Sequence, residues 1–356
     1  MSITFGISKF ENKRVLIVGD IMLDEFVYTT SNRNSPEYKE VPVLQIQDKK
    51  QYLGGAANVA LNIKKLNAIP YLVGVVGNDE NAQVIYKKLA EENISNQYIY
   101  TNTRQKTTTK SRIFQENKPI YRIDAEEKMN LEILVNHFIL KNIQDAINNH
   151  KPHILILQDY NKGVLNSDNI PEIIEIAKKN NLIICVDPKL ENWNLYQAVD
   201  LFKPNLNEFN FMSTDYLNAS DYLNAYKASN NQNIVDASDI SNNQNSANVS
   251  DSSNIQTLLK CSEYLKNKLN FKNLLVTLGA EGNFIFDGKN SQISPLKSHL
   301  ANPDVCGAGD TVIAIAALAL ASGFTLEETA ILANKAGYLV CQKEHIQPIT
   351  ISELAN

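Results

Sequence analysis

The sequence is short of the features that mark several whole classes of function. Its four cysteines, Cys185, Cys261, Cys306 and Cys341, show no C-x-x-C spacing, and its five histidines form no ligand cluster with them. That pattern argues against a zinc site and a disulfide frame, and a reducing cytoplasm is the expected setting. There is no excess of positive charge: 34 Lys and Arg against 39 Asp and Glu give a formal net charge of -5. Such a chain has no basic field to neutralise a phosphate backbone, so no nucleic-acid partner is expected. No stretch reaches the roughly 18 apolar residues of a membrane span, and no long apolar run precedes the first strand, so neither membrane insertion nor secretion is expected. The G-x-G-x-x-G fingerprint is missing, which argues against a dehydrogenase, and no G-x-x-x-x-G-K-[ST] phosphate loop occurs.

What is present is long enough for one large α/β domain or two ordinary ones: 356 residues, 44% of them hydrophobic and 21% charged. Arg14 to Val18 is a short apolar run ending in Gly19-Asp20, which reads as a buried parallel strand delivering polar residues at its carboxyl end. Similar runs recur at Pro70–Val76, His153–Leu157, Leu182–Val186 and Leu274–Leu278, alternating with helical stretches such as Asn81–Glu92 and Asn169–Asn180. That alternation predicts a mostly parallel sheet with helices on both faces. Two regions break it. Segments 26–47 and 106–124 are rich in Thr, Val, Tyr and Ile and read as strands outside the main sheet, a lid over the crevice and a surface for pairing with a second subunit. Residues 213–256 are rich in Asn, Ser and Asp, repeat DYLN and SNNQN, and read as a low-complexity insertion forming a mobile surface loop.

Two glycine motifs carry the chemistry. Asp304-Val-Cys-Gly-Ala-Gly-Asp310-Thr311 precedes VIAIAALALASG, which has the apolar density of a buried helix. Amides of Gly307, Ala308 and Gly309 would then stand free at a helix N-terminus, where the macrodipole favours a phosphoryl group. Asp310 beside them would accept a hydroxyl proton. Alone, the stretch also reads as a Gly-rich loop capped by Asp. In the second motif, Gly54-Gly55-Ala-Ala-Asn58-Val-Ala60, two glycines would let a ligand approach the backbone, and Asn58 offers donor and acceptor groups for sugar hydroxyls. Asp20 and Asp24, at the end of the first strand, would accept hydrogen bonds from the same hydroxyls.

These two motifs, in this order and spacing, resemble those of the ribokinase-like carbohydrate kinases. The resemblance runs over nearly the whole chain outside the insertion. It is nearest to the bacterial D-glycero-β-D-manno-heptose 7-phosphate kinases, through Ser35-Pro36-Glu37, Val41-Pro42-Val43, Thr107-Thr-Thr-Lys110, Arg122-Ile-Asp124, Asp159-Tyr-Asn-Lys162-Gly163, Asp187-Pro188-Lys189 and Pro204-Asn205-Leu-Asn-Glu208. It implies a ribokinase-like α/β fold spanning residues 1–356, with a β-lid that pairs in a homodimer. The implied reaction moves the ATP γ-phosphate to the anomeric hydroxyl of heptose 7-phosphate, a step toward ADP-heptose and the lipopolysaccharide core. In related two-domain enzymes an adenylyltransferase follows; ending at Asn356, the chain is expected to hold only the kinase.

By the same resemblance, Asn205 and Glu208 would organise Mg2+ and the ATP phosphates, Thr277, Gly279 and Gly282 would form the nucleotide loop, and Asn334 would lie near the adenine. Lys110, Arg112 and Arg122 on the lid would meet the substrate's distal phosphate, Arg as a bidentate fork, and Lys162 after a strand would be a charge partner for substrate phosphate or carboxylate groups. Exposed strand cations also occur as plain solvated edge residues. Cys306 stands where the family commonly has Thr, and a thiol near a helix N-terminus would be expected to have a lowered pKa and to be sensitive to oxidation. The alternatives are a kinase for another sugar, or a non-catalytic sensor on the same fold. Asp310 argues against the sensor, since binding alone needs no carboxylate at the phosphoryl position.

Overall fold

The computed structural model describes residues 6–127, 133–218, 252–296, 298, 300–301 and 303–356. β1 (Arg14–Gly19) is apolar and buried from Val15 to Val18, as a central parallel strand with both faces covered must be. One residue later, at Asp20, the chain leaves that sheet and continues directly as β2 (Ile21–Thr30) of a second sheet. β3 (Gln45–Gly55) returns antiparallel to β2 and runs without a loop into α1 (Ala56–Lys65). β4 (Ile69–Gly77), α2 (Glu80–Glu91) and β5 (Ile99–Asn102) follow; Asp79 caps α2 by accepting the Ala82 amide at 2.9 Å.

β6 (Thr108–Gln115) and β7 (Lys118–Ala125) form a hairpin around Glu116 and Asn117, whose φ values of 50° and 63° are those of a two-residue turn matched to strand twist. The chain then alternates through α3 (Ile133–His150), β8 (Ile154–Gln158), α4 (Ile170–Lys179), β9 (Ile183–Asp187), β10 (Leu201–Phe202), α5 (Leu206–Met212), α6 (Thr214–Asn218), α7 (Ser252–Leu269) and β11 (Asn273–Thr277). β12 (Asn283–Phe286), β13 (Ser291–Ser294), α8 (Ala308–Ala321), α9 (Leu326–Cys341) and α10 (Ile351–Ala355) complete it.

The main sheet has the order β13-β12-β11-β10-β9-β8-β1-β4-β5, parallel from β11 to β5 with β12 and β13 antiparallel at one edge. Alternate side chains of each strand feed two cores. Val15, Ile17, Ile154 and Ile156 pack with α1, α2, α8 and α9 on one face, and Leu16, Val18, Leu155 and Leu157 pack with α3, α4 and α7 on the other. α8 is apolar all round and buried from Asp310 to Ala319, so it is a central helix rather than a surface one. The lid is a four-stranded sheet of order β3-β2-β6-β7, in which β2 and β6 run parallel.

Two expectations change here. The lid is longer than segments 26–47 and 106–124, because β2 begins at Ile21 and β3 extends to Gly55; the glycine motif therefore ends a strand before it opens a helix. The insertion expected over 213–256 has helical flanks, α6 and the start of α7, while 219–251 lies outside the described residues.

Candidate active site

The carboxyl ends of β1, β8 and β9 stop level with one another, with Gly19, Gln158 and Asp187 in register, and the N-terminus of α8 points at that edge. Gly307 caps α8 in the left-handed conformation, φ 75° and ψ 4°, with no side-chain cap. A side chain there would have its Cβ 2.8 Å from Asn58 Nδ2, so the conformation and the close approach both require glycine. The Ala308 amide is already used, donating to the Val305 carbonyl at 3.2 Å. The cradle expected from Gly307, Ala308 and Gly309 therefore shifts one step into the helix. Gly309 and Asp310, at its second and third positions, have no acceptor within an α-helix.

Asp310 sits in that first turn, 3% exposed. Its Oδ2 accepts from Asn58 Nδ2 at 2.8 Å; its Oδ1 accepts from Tyr160 OH at 2.8 Å and Gln158 Nε2 at 3.1 Å. Burial pushes its carboxyl up to about 7, against the lowering effect of the Asn58 and Tyr160 hydrogen bonds and with a raising contribution from Asp187 and Asp24. A carboxyl at that value is a competent acceptor for a hydroxyl proton near neutral pH. The network extends in both directions. Asn62 Nδ2 holds the Asn58 carbonyl at 2.9 Å and Thr311 Oγ1 donates to Asn62 Oδ1 at 3.0 Å. Gln158 Nε2 also donates to Asp187 Oδ2 at 3.0 Å, and Asp187 Oδ1 lies 3.0 Å from Lys203 Nζ. A Cβ built on Gly309 would be 3.9 Å from the Asp187 carboxylate and 4.0 Å from the Lys203 ammonium, so a buried cation stands beside the helix N-terminus. Cation, free amides and dipole together suit a transferring phosphoryl group.

The pfkB family profile, described as the pfkB family carbohydrate kinases, matches residues 12–236 and 231–352. The chain belongs to that family. The kinase is 31% identical over 349 residues to the bifunctional protein HldE of Histophilus somni and 32% identical over 351 residues to that of Haemophilus ducreyi. Each match covers 98% of this chain and 64% of the relative, so the kinase spans a little under two thirds of the length of these relatives. Among solved structures it is similar to Arabidopsis thaliana ribokinase complexed with ribose and ATP, with TM-score 0.64 and 18% identity over 97% of this chain and 99% of that one. Escherichia coli phosphofructokinase-2 in complex with fructose-6-phosphate gives TM-score 0.67 and 17% identity over 96% and 97%. Those likenesses establish the ribokinase-like fold, and the family makes the protein an ATP-dependent carbohydrate kinase.

Several of the expected site residues are engaged by neighbouring groups of the protein. Asp20 turns into the protein: Oδ2 accepts the Tyr160 and Lys162 amides at 2.7 and 3.1 Å, Oδ1 accepts the Val164 amide at 3.1 Å, and the residue is 1% exposed. It shapes the loop that carries Tyr160. Burial and the neighbouring Asp159 push its carboxyl up to about 7. Gly54 and Gly55 make room for the protein itself, since a Cβ on Gly54 would lie 2.1 Å from Asp24 Oδ2 and one on Gly55 2.3 Å from the Asp20 carbonyl oxygen. Asn58 serves the base through its amide.

Asn205 and Glu208 form a capping box on α5: Asn205 Oδ1 accepts the Glu208 amide at 2.8 Å and Glu208 Oε2 accepts the Asn205 amide at 2.9 Å. Glu208 Oε1 pairs with Lys189 Nζ. As a direct ligand for Mg2+, Glu208 does not fit, because both oxygens are engaged and one faces an ammonium. Among the described residues no three His, Cys, Asp or Glu converge on a metal position. Asn334 binds Ser294, donating to its carbonyl at 2.6 Å and its hydroxyl at 3.0 Å, and so ties α9 to β13. Thr277 ends β11 beside Asn205, and the turn through Gly279 and Gly282 follows at the same sheet edge. The Cys306 thiol is not activated: burial pushes it up to about 12, which corrects the expectation of a lowered pKa.

On the lid, Lys110, Arg112, Arg122 and Asp124 share one face, since Lys110 pairs with Asp124 and Arg112 with Arg122 across β6 and β7. Arg112 Nη1 contacts Asp24 Oδ1 at 2.6 Å and its guanidinium lies 5.1 Å from the Phe26 ring centroid. Burial pushes the Asp24 carboxyl up, and Arg112 opposes this. Lys110 reaches Asp124 at 3.3 Å and Glu126 at 3.4 Å, Lys162 from the body reaches Glu126 at 2.8 Å, and the half-exposed Arg122 reaches Asp124 at 3.0 Å. Sequence reasoning gave no role to Gln158, Tyr160, Asp187, Lys189, Lys203 or Glu126. Asp187 and Lys203 carry the signal that singled out Asp20, a polar residue at the carboxyl end of an apolar strand.

Proposed function

We propose that the kinase transfers the γ-phosphate of ATP to the anomeric hydroxyl of D-glycero-β-D-manno-heptose 7-phosphate, giving the 1,7-bisphosphate and ADP. The observation that carries the chemistry is Asp310, a buried carboxylate held by three donors in the first turn of α8 with Lys203 beside it. Asp310 takes the proton from the acceptor hydroxyl. The freed oxygen attacks phosphorus in a pocket where the α8 amides and the Lys203 ammonium offset the charge on the phosphoryl oxygens. Mg2+ bound with the triphosphate would supply further charge neutralisation; the chain's own groups supply the base and the anion cradle.

The heptose phosphate reading is supported by the resemblance in the lid sequences and by the cations beneath it. Lys110 from the lid and Lys162 from the body, about four-fifths buried, converge on one carboxylate, Glu126. A sugar carrying a distal phosphate would take that carboxylate's place. The exposed Tyr121 and Ile123 on β7 and Ile46 on β3 support a homodimer formed through the lid.

An ADP-release assay over phosphorylated and unphosphorylated sugars tests the substrate. Heptose 7-phosphate should be turned over with a kcat/KM at least tenfold above ribose, fructose and fructose 6-phosphate. Glu126→Gln, which releases both lysines from an internal anion, should lower KM for the phosphorylated acceptor alone. Turnover confined to an unphosphorylated sugar would reject the reading.

A further inference from the structure

Gln158 is fully buried at the end of β8, between the acceptor base and the carboxylate that pairs with Lys203. Its Nε2 carries two hydrogens, one for Asp187 Oδ2 at 3.0 Å and one for Asp310 Oδ1 at 3.1 Å. Among the described residues its Oε1 has no partner. A buried side-chain acceptor is rarely left bare. Here it follows from turning both N–H groups toward two carboxylates, the arrangement that leaves no donor facing Oε1. Gln158 thus links two acids 123 positions apart in the chain, one serving the sugar side and the other the cation beside the helix N-terminus.

The count of acceptor positions on Asp310 gives this a direction. A carboxylate offers about four lone-pair positions, two on each oxygen. Gln158 and Tyr160 occupy both on Oδ1, and Asn58 occupies one on Oδ2. One position remains, on Oδ2.

We propose that Gln158 is a positioning residue whose amide binds Oδ1 of Asp310 to the Asp187–Lys203 pair and so reserves Oδ2 of Asp310 for the acceptor hydroxyl. In the step, the acceptor O–H bond breaks and its proton goes to Oδ2. The acceptor oxygen forms a bond to the γ-phosphorus as the bond from that phosphorus to the bridging oxygen breaks, and ADP leaves with the electron pair. Gln158 keeps its hydrogens and stabilises the ionised form of the base. The inference rests on Asp310 being the base of the proposed reaction.

Charged and titratable groups around Asp310 come from several elements: Asp187 at the end of β9, Asp24 on β2, Tyr160 after β8 and Lys203 after β10; α1 contributes only the neutral Asn58 and Asn62. Replacing Gln158 removes its N–H from Asp310 and from Asp187 together while Asp24, Tyr160, Lys203, Asn58 and Asn62 stay, so a shift in the titration of Asp310 reads the lost bridge. A hydrogen bond to a charged group, removed by Gln158→Met, corresponds to an upward shift of about one pH unit.

Two measurements on the full chain test this. In the first, kcat is followed from pH 5.5 to 9 for wild type and Gln158→Met with the best acceptor sugar. The acid limb should move up by about one unit, with a roughly tenfold loss at pH 6 that shrinks as pH rises. In the second, the carboxyl carbon of Asp310, assigned with Asp310→Asn, is titrated by NMR without substrate and should shift by the same amount. A limb and a titration both at wild-type positions, or a kcat lowered by one factor at every pH, overturn the proposal. A shifted titration with an unshifted limb also overturns it, and locates the failure in the role of Asp310 rather than in the contact. Should Gln158→Met not fold, Gln158→Asn, one methylene too short to span both carboxylates, is read by the same criteria.

Discussion

Replacing Lys203 with methionine would leave the Asp187 carboxylate buried without the ammonium that now lies 3.0 Å from it. Both side chains are under a tenth exposed, so solvent screens the pair little and the interaction is not the marginal kind found on surfaces. Removing one partner of such a pair costs about 3–5 kcal/mol, because the remaining charge is stranded away from water. Asp187 retains the Gln158 N–H at 3.0 Å, which places the expected loss near the low end, about 3 kcal/mol. Against a total of about 5–15 kcal/mol for a folded domain, that is readily measured by urea unfolding at pH 8. The Asp187→Leu/Lys203→Met double variant should recover to within about 1 kcal/mol of wild type, since no charge is then stranded. ATP affinity should fall at least tenfold in both, because the cation beside the α8 N-terminus is gone. Wild-type stability in Lys203→Met, or a double variant whose loss is the sum of the singles, would refute the reasoning.

Gly307→Ala should cost about 1–2 kcal/mol from its left-handed backbone alone; its Cβ would press on Asn58, so kcat should drop with ATP binding little changed, and a kcat within twofold of wild type would contradict this. The buried acids make a stability prediction of definite sign. Asp310 and Asp20 both titrate near 7 in the folded protein, above their ordinary 3.8. The stability each group confers is complete below about 3.8 and is lost as pH rises through about 7. Asp310→Asn removes this dependence at one site, so between pH 5 and 8 the variant should gain about 3 kcal/mol relative to wild type in urea unfolding. A difference independent of pH would show that Asp310 ionises without cost.

How far the sequence could be read depended on how local each signal was. The apolar runs at 14–18 and 153–157 and the glycines before α8 act within a few residues, so the parallel sheet, the helix start and the place of Asp310 were legible. The parallel pairing of β2 with β6 was not, because it joins residues 86 positions apart, such as Asp24 and Lys110, with nothing local to mark the register. Neither was the clustering around Asp310, whose partners Asn58 and Gln158 are 252 and 152 positions away. Asn205 and Glu208 show the opposite case. Their spacing is that of a helix capping box, a local signal, yet the resemblance drew them toward metal and nucleotide binding. Gly54 was read as leaving room for a ligand, whereas the group that lies against it is the carboxylate of Asp24 on the neighbouring strand.

The central claim is that Asp310 accepts the proton of the sugar hydroxyl, and the most direct measurement compares turnover with binding in Asp310→Asn. A positioned general base contributes about 10²–10⁴ in rate. The variant should therefore lose about 10³ in kcat while the calorimetric dissociation constants for ATP and the sugar phosphate stay within about threefold of wild type. A kcat within tenfold of wild type, with both ligands bound as before, would contradict the account.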